Sequence, residues 1–354
     1  MKKTSEKKSA AVAFIDRDGA LIREPDSLLV GSPDEVQILP GVIAGLKTLV
    51  QSGYKLAMIT NQDGLGSSSY PLSAFDATQK KLLEPLKKEG VVFDEVFVCP
   101  HMPDDGCDCR KPKTGLVKKF LKDTPIDLER SFVVGDRETD MQLATNLGIT
   151  GYKMERNSSF PRIAAVARTS KETDVFIRCN LDGQGIFDVD TGVKFFDHML
   201  EQLSKHSLVD LTIRAKGDIA VDDHHTVEDV GLVLGEVLLQ ALGERKGIRR
   251  YGFLLPMDDT LVEVAIDLGG RPYLVFNAEF KREKVGDLPT EMVEHFFRSV
   301  ADALKANIHI NVKYSRNEHH KIEAIFKSFA KALRMAVEND SRQEGALPST
   351  KGVL

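Results

Sequence analysis

Long apolar runs are missing from this chain: nowhere do about 18 consecutive residues stay apolar, which excludes a membrane-spanning helix. The basic opening, Met1-Lys2-Lys3-Thr4-Ser5-Glu6-Lys7-Lys8-Ser9, is followed by no apolar stretch of the kind a signal peptide needs. It reads instead as a short disordered tail over residues 1–10, and the protein as cytoplasmic. A large excess of one charge is missing too. The net charge of -5 gives no reason to expect nucleic acid or an anionic membrane as partner. Cysteine is scarce, with four copies, yet three of them (Cys99, Cys107 and Cys109) share one loop-sized stretch.

What is present has a globular composition, 42% hydrophobic and 29% charged. At 354 residues the chain exceeds one ordinary core, so two domains are expected. Eight of the nine histidines follow residue 190, so the thiol and imidazole clusters fall in different halves.

The first half alternates short apolar runs with helical patterns, as a parallel α/β sheet requires. Strands are expected over 11–15, 54–59, 95–98 and 131–134, with a helix over 40–51. The run Asn157-Ser158-Ser159-Phe160-Pro161 has linker composition and places the boundary at about 155–168. The domains are then 11–165 and 166–354.

The second half repeats itself. Strands over 174–178 and 186–189 are followed by a helix carrying His198, a strand over 208–215, and a helix opened by His224-His225-Thr226-Val227-Glu228. Strands over 261–266 and 273–276, a helix carrying His295, a strand over 307–313 and a helix opened by His319-His320-Lys321-Ile322-Glu323 follow the same order. One β-β-α-β-α unit is used twice, which predicts an α+β domain.

Asp16-Arg17-Asp18 sets two carboxylates just past a buried strand, at the sheet edge where open α/β folds bind ligands. Thr60-Asn61, then Lys111, then Gly135-Asp136 with Asp140 join it at the same edge. A lone Asp-x-Asp is usually a solvated turn; the ordered set points to phosphoryl transfer. Asp16 can attack phosphorus, and Asp18 can protonate the leaving oxygen and later activate water. Asp16 and Asp136, with Asp18 beside them, supply oxygen ligands for Mg²⁺. Thr60, Asn61 and Lys111 can hold the phosphate. The set resembles the haloacid dehalogenase superfamily of phosphatases over roughly residues 11–155. Ala20 stands where that family normally has Thr.

Cys99-Pro100-His101 and Cys107-Asp108-Cys109 offer three thiols and one imidazole, spaced for a closed tetrahedral Zn²⁺ site. A disulfide competes, but a histidine among thiols in a cytosolic-looking chain disfavours it. A closed site leaves no place for substrate, so its role is structural, shaping the loop over the phosphate site. The same loop occurs in histidinol-phosphate phosphatases and in heptose-bisphosphate phosphatases, so a sugar phosphate is an alternative substrate.

Two copies of His-His-x-x-Glu at equivalent places of a repeat point to metal binding. Adjacent helical residues diverge by about 100°, so His224 and His225 are not expected to serve one ion together. Glu228 and Glu323 lie one turn on. With His198 and His295 the candidate ligands are His198, His224, His225, Glu228, His295, His319, His320 and Glu323, four for each of two ions. Imidazole and carboxylate without thiol suit six-coordinate Mn²⁺ with positions left open for chemistry. A metal-binding assembly module without catalysis is the alternative from another class.

These motifs resemble imidazoleglycerol-phosphate dehydratase, from Arg168-Thr169-Ser170-Lys171-Glu172-Thr173 to Pro348-Ser349-Thr350-Lys351-Gly352-Val353-Leu354. The whole chain is thus similar to the bifunctional histidine-biosynthesis proteins, in which a histidinol-phosphatase precedes the dehydratase. The resemblance implies that Glu172 handles the proton and that Arg250, Arg271, Ser349 and Lys351 bind phosphate. It implies small phosphorylated imidazole substrates, and a large homo-oligomer formed through the dehydratase domain. Gly269 stands where that family commonly has Ser, and 314–318 lacks a glycine often found there.

Overall fold

A computed structural model of the chain describes residues 9–219, 221–252, 255–343 and 346–349. It divides into two compact units, Met1–Pro161 and Arg162–Leu354. Residues 1–8 of the expected tail lie outside the described residues. Ala10 is already tied down, its N–H donating to the Pro125 carbonyl at 2.9 Å.

The first unit runs β1 (Val12–Ile15), α1 (Val42–Gln51), β2 (Lys55–Asn61), α2 (Leu72–Lys88), β3 (Glu95–Cys99), α3 (Lys118–Asp123), β4 (Phe132–Gly135), α4 (Glu138–Leu147) and β5 (Thr150–Lys153). Its five strands pair in parallel in the order β3-β2-β1-β4-β5. Every residue of β1 and β4 is buried, as unbroken apolar strands covered on both faces must be. Helix α1 turns Val42, Leu46 and Leu49 inward at helical spacing. The chain first winds from β1 to β3, then crosses to β4 on the other side. That reversal opens a crevice beyond the ends of β1 and β4, and Asp16 and Asp136 stand in it. The run 157–161, expected as a linker, is packed on this unit. Phe160 is buried, its N–H donating to the Pro40 carbonyl at 2.8 Å, because its ring outweighs the linker-like residues around it.

The second unit runs β6 (Ile163–Thr169), β7 (Thr173–Asn180), β8 (Phe187–Asp190), α5 (Lys194–Ser207), β9 (Asp210–Gly217), α6 (His224–Leu242), β10 (Tyr251–Gly252), β11 (Leu255–Met257), β12 (Thr260–Asp267), β13 (Tyr273–Asn277), the small hairpin β14 (Lys284–Val285) and β15 (Leu288–Pro289), α7 (Glu291–Leu304), β16 (Asn307–Tyr314) and α8 (Glu318–Val337). The repeat is visible in topology: sheets β6-β7-β9-β8 and β10-β12-β16-β13 have the same order. In each, the last pair is parallel and the rest antiparallel. Each copy carries an extra strand ahead of the expected unit, β6 or β10, and the second copy adds the short β11, also paired with β12. The alanine-rich sequence of β6 and the two-residue length of β10 leave little strand signal to read. Because β6 is part of this sheet, the second unit begins ahead of the expected residue 166.

The helices pair across the repeats, α6 with α7 and α5 with α8. Phe196, Phe296, Phe297, Phe326 and Phe329 fill the centre, with neighbouring ring centroids 5.0 to 5.3 Å apart. This cross-pairing decides which histidines meet.

Candidate active sites

In the first unit the Asp16 N–H donates to the Val134 carbonyl at 2.9 Å, pinning the turn after β1 to β4. Lys111 Nζ lies 2.7 Å from both Asp16 Oδ1 and Asp140 Oδ1, and all three side chains are buried. Asn61 holds Lys111 by its backbone: Oδ1 accepts from Lys111 N at 3.0 Å, and Nδ2 donates to Lys111 O at 3.4 Å. Two glycines make room. A Cβ on Gly19, which sits at φ +82, would lie 2.5 Å from Asp136 Oδ2, and one on Gly135 would lie 2.3 Å from Asp140 Oδ2.

Asp16, Asp136 and Asp140 bring one oxygen each within 4.8 Å of one another. Burial pushes the Asp16 carboxyl up, to about 8, while Lys111 pulls the other way. Burial disfavours the Lys111 charge, yet Asp16 and Asp140 outweigh it and raise the ammonium above its ordinary value. Asp136 is raised by burial and then by Asp140, and its Oδ1 is buried without a hydrogen-bond partner. Three carboxyls facing one ammonium leave an excess of negative charge that a divalent cation fits.

The expected ligand Asp18 is not among them. Its Oδ1 pairs with Arg17 Nη1 at 2.7 Å and its Oδ2 accepts from Gln62 Nε2 at 2.5 Å, so both oxygens are turned aside. Asp140 takes its place in the cluster. A cavity of about 250 Å³ opens here, lined by Asp16, Asp18, Thr60, Lys111, Arg137, Glu24 and the apolar Leu28 and Leu29. Glu24 is buried and pairs with both Arg137 and Arg156. Spacing gave no signal for Glu24, Gln62 or Arg137, whose partners include residues of distant segments, nor for the hold of Gln79 and Thr78 on Arg17.

Cys99 Sγ lies 3.3 Å from Cys109 Sγ, 3.7 Å from Cys107 Sγ and 3.7 Å from His101 Nδ1, and all three thiols are free. A tetrahedral ion with bonds of about 2.3 Å spaces its thiolates by about 3.7 Å, so the donor set fits Zn²⁺ in type and size. The loop is bolted to the catalytic edge. Gln62 N donates to the Cys99 carbonyl at 2.8 Å, and Arg110 pairs with Asp63 while donating to the His101 carbonyl at 3.1 Å.

In the second unit the doubled histidines open α6 and α8. Rings of His224 and His225 are 6.0 Å apart and steeply inclined, and those of His319 and His320 are 6.1 Å apart. His224 Nε2 lies 3.7 Å from Glu228 Oε2, and its ring centroid is 4.9 Å from that of His295 on α7. His319 Nε2 lies 3.5 Å from Glu323 Oε2. The Glu323 carboxyl is held below its ordinary value although burial opposes this, because Lys327, His319 and His198 lie close. Each trio, His224-Glu228-His295 and His319-Glu323-His198, therefore draws on both repeats. His225 instead faces Glu172 at 3.7 Å and Asp218 at 3.6 Å, and His320 faces Asp259 at 2.7 Å. Among the described residues, no three donors of this unit, neither trio included, bring their ligand atoms within 4.8 Å of one another.

Of the expected phosphate ligands, Arg250 pairs with Asp267 through two nitrogens and donates to the Pro348 carbonyl at 2.9 Å, beside Ser349. Arg271 is exposed ahead of β13, its carbonyl accepting from Asn307 at 2.5 Å. Lys351 lies outside the described residues. Lys327, 2.7 Å from Glu323 Oε1, was missed, although its place one turn beyond Glu323 was a usable signal.

Fold and sites define a two-part enzyme, a parallel α/β phosphatase joined to a histidine-rich α+β repeat. Family models match it twice: Polynucleotide kinase 3 phosphatase over residues 11–160, and Imidazoleglycerol-phosphate dehydratase over residues 191–333. The "Histidine biosynthesis bifunctional protein HisB" of Stenotrophomonas maltophilia (strain R551-3) is 47% identical, covering 97% of this chain and 99% of that relative. The protein of the same name from Bacteroides fragilis is 45% identical over 97% of this chain and 99% of its own length. Among solved structures, the imidazoleglycerol-phosphate dehydratase of Staphylococcus aureus is 42% identical with TM-score 0.46, covering 50% of this chain and 99% of that one. The D,D-heptose 1,7-bisphosphate phosphatase of B. bronchiseptica is 34% identical with TM-score 0.38, covering 40% of this chain and 79% of that one.

The chain belongs to the bifunctional histidine-biosynthesis proteins: a haloacid-dehalogenase-like phosphatase fused to an imidazoleglycerol-phosphate dehydratase. The dehydratase family is named for a small phosphorylated substrate, imidazoleglycerol phosphate. The relatives favour neither the sugar-phosphate reading nor the non-catalytic one. No helix among the described residues is long and apolar enough to cross a membrane.

Proposed function

We propose that residues 11–165 hydrolyse histidinol phosphate and that residues 166–354 dehydrate imidazoleglycerol phosphate to imidazole acetol phosphate. In the first reaction Asp16 attacks phosphorus and carries the phosphoryl group as an aspartyl ester. Asp18 gives its proton to the departing alcohol, then takes one from the water that hydrolyses the ester. Thr60 and Lys111 hold the phosphate oxygens, and Asn61 steadies Lys111. Asp16, Asp136 and Asp140 would hold Mg²⁺, which offsets charge on the phosphoryl oxygens. The four-donor cysteine loop would hold Zn²⁺ and fix the Arg110-Lys111 segment. The observation that carries this half is the buried Asp16-Lys111-Asp140 arrangement with Asp136 Oδ1 left unpartnered.

In the second reaction Glu172, 3.7 Å from His225, is the group that moves the substrate carbon's proton. Arg250, Arg271, Ser349 and Lys351 grip the phosphate. The two trios would each hold one Mn²⁺, and two such cations stabilise negative charge on the substrate imidazole. Each trio needs a fourth protein ligand, and His225 and His320 face away from both. The arrangement supports completion by His225 and His320 from other copies, hence a large homo-oligomer built through this unit.

The test is to strip the protein of metal and restore Mg²⁺ or Mn²⁺ separately, assaying both substrates. Mg²⁺ should restore phosphate release and Mn²⁺ the dehydration. Loss of the dehydratase in every metal state would sink the second assignment, and hydrolysis of heptose bisphosphate in preference to histidinol phosphate would sink the first.

A further inference from the structure

Gln62 is 3% exposed and leaves β2 on the same side as Thr60, two residues earlier. Both donors and one acceptor position of its side-chain amide are used. Nε2 donates to Asp18 Oδ2 at 2.5 Å and to Thr60 Oγ1 at 2.8 Å, and Oε1 accepts from the Tyr70 hydroxyl at 2.7 Å. A carboxylate accepts and does not donate, so the nitrogen must face Asp18. Tyr70 enforces the same orientation. It is 2% exposed, and burial pushes its phenol up to about 12, so the hydroxyl keeps its proton and donates it to Oε1.

Both ends of this relay are anchored by backbone. Gln62 N donates to the Cys99 carbonyl at 2.8 Å, and the Tyr70 carbonyl accepts from Gly66 N at 2.8 Å, closing the loop between them. On the other side of Asp18, Arg17 is fully buried and fixed by Gln79 at 3.1 Å and Thr78 at 2.9 Å. Asp18 is thus gripped at both oxygens, and one of those grips is shared with the phosphate-holding Thr60.

We propose that Gln62, oriented by Tyr70, is a positioning residue that couples the proton-donating carboxyl Asp18 to the phosphate-holding Thr60. This rests on the reading of Asp18 as the acid of the phosphatase. Neither Gln62 nor Tyr70 touches the phosphorus; they set where the proton donor stands when the phosphate is seated. Their loss therefore falls on substrates whose leaving oxygen must be protonated, and spares those that depart as anions.

The experiment is single-turnover release of the leaving group by the full-length, Mg²⁺-loaded protein. Histidinol phosphate, an alkyl ester, is compared with p-nitrophenyl phosphate, whose phenolate leaves without a proton. Gln62→Leu should slow the alkyl ester by about 10²-fold, with the aryl ester changed by less than about 3-fold. Tyr70→Phe, which keeps the ring and removes one hydrogen bond, should give the same selectivity at about 5- to 10-fold. Retained turnover of the aryl ester at the same site shows that the phosphatase unit of each variant is folded. Asp18→Asn separates the two ideas. If it slows both esters equally, Asp18 is not the acid and the underlying reading fails. If Asp18→Asn is selective while Gln62→Leu and Tyr70→Phe are neutral or slow both esters equally, the positioning role is wrong.

Discussion

In the first unit one copy of the chain gathers a whole site: three carboxyl oxygens within 4.8 Å of one another around Lys111, and four soft donors in a loop alongside. In the second, eight candidate ligands separate into two trios and two histidines that face elsewhere. The difference follows from architecture. A parallel sheet delivers successive loops to one edge, so residues far apart in sequence converge without help. A duplicated α+β unit produces two equivalent half-sites, and adjacent histidines on a helix cannot turn to the same ion. The first arrangement is gathered within one copy; in the second, His225 and His320 stand apart from the trios, which is the observation behind the proposed homo-oligomer.

That contrast can be broken at several points, beginning with the largest effect. Asp16→Asn should lower phosphate release from histidinol phosphate by about 10⁴-fold or more, with dehydration unchanged. An equal fall in both activities of a folded protein would mean that the sites are not separate. His225→Ala should lower dehydration by about 10²-fold or more and reduce particle size in sedimentation, while phosphate release holds. If the particle keeps its size and its Mn²⁺ content, His225 does not complete a partner's site. Cys109→Ser should lower phosphatase activity about 10- to 100-fold and leave one fewer Zn²⁺ bound per chain, sparing the dehydratase. Asn61→Ala should cost the phosphatase about 10-fold through loosened placement of Lys111. A fully active Asn61→Ala enzyme would show that Lys111 is held by its carboxylates alone.

Legibility differed between the two units for physical reasons. The parallel sheet was readable because β1 and β4 are buried on both faces and therefore continuously apolar. Strand β6 was not, since a run of alanines carries no strand preference until a neighbour pairs with it. The segment 157–161 looked like a linker by composition, yet the buried ring of Phe160 and the hydrogen bonds of Asn157 to Gly19 and Glu24 tie it to the first unit. Asp18 was placed among the metal ligands on spacing alone. Its actual partners, Arg17 and Gln62, turn it away, and Asp140 stands in the cluster with Lys111.

The sequence by itself determined the chemistry of the donors and their grouping into two sites, because motif spacing along a strand end, a loop or a helix turn is local geometry. It also determined the repeat, since duplicated order survives as duplicated pattern. The tertiary structure alone decided which donors meet. The pairing of α6 with α7 and α5 with α8 sorted six ligands into two trios and left His225 and His320 outside them. It alone closed the hold of Arg17, Gln62 and Tyr70 on Asp18. Such contacts depend on how packed elements face one another across the core, and neither spacing nor composition along the chain encodes that.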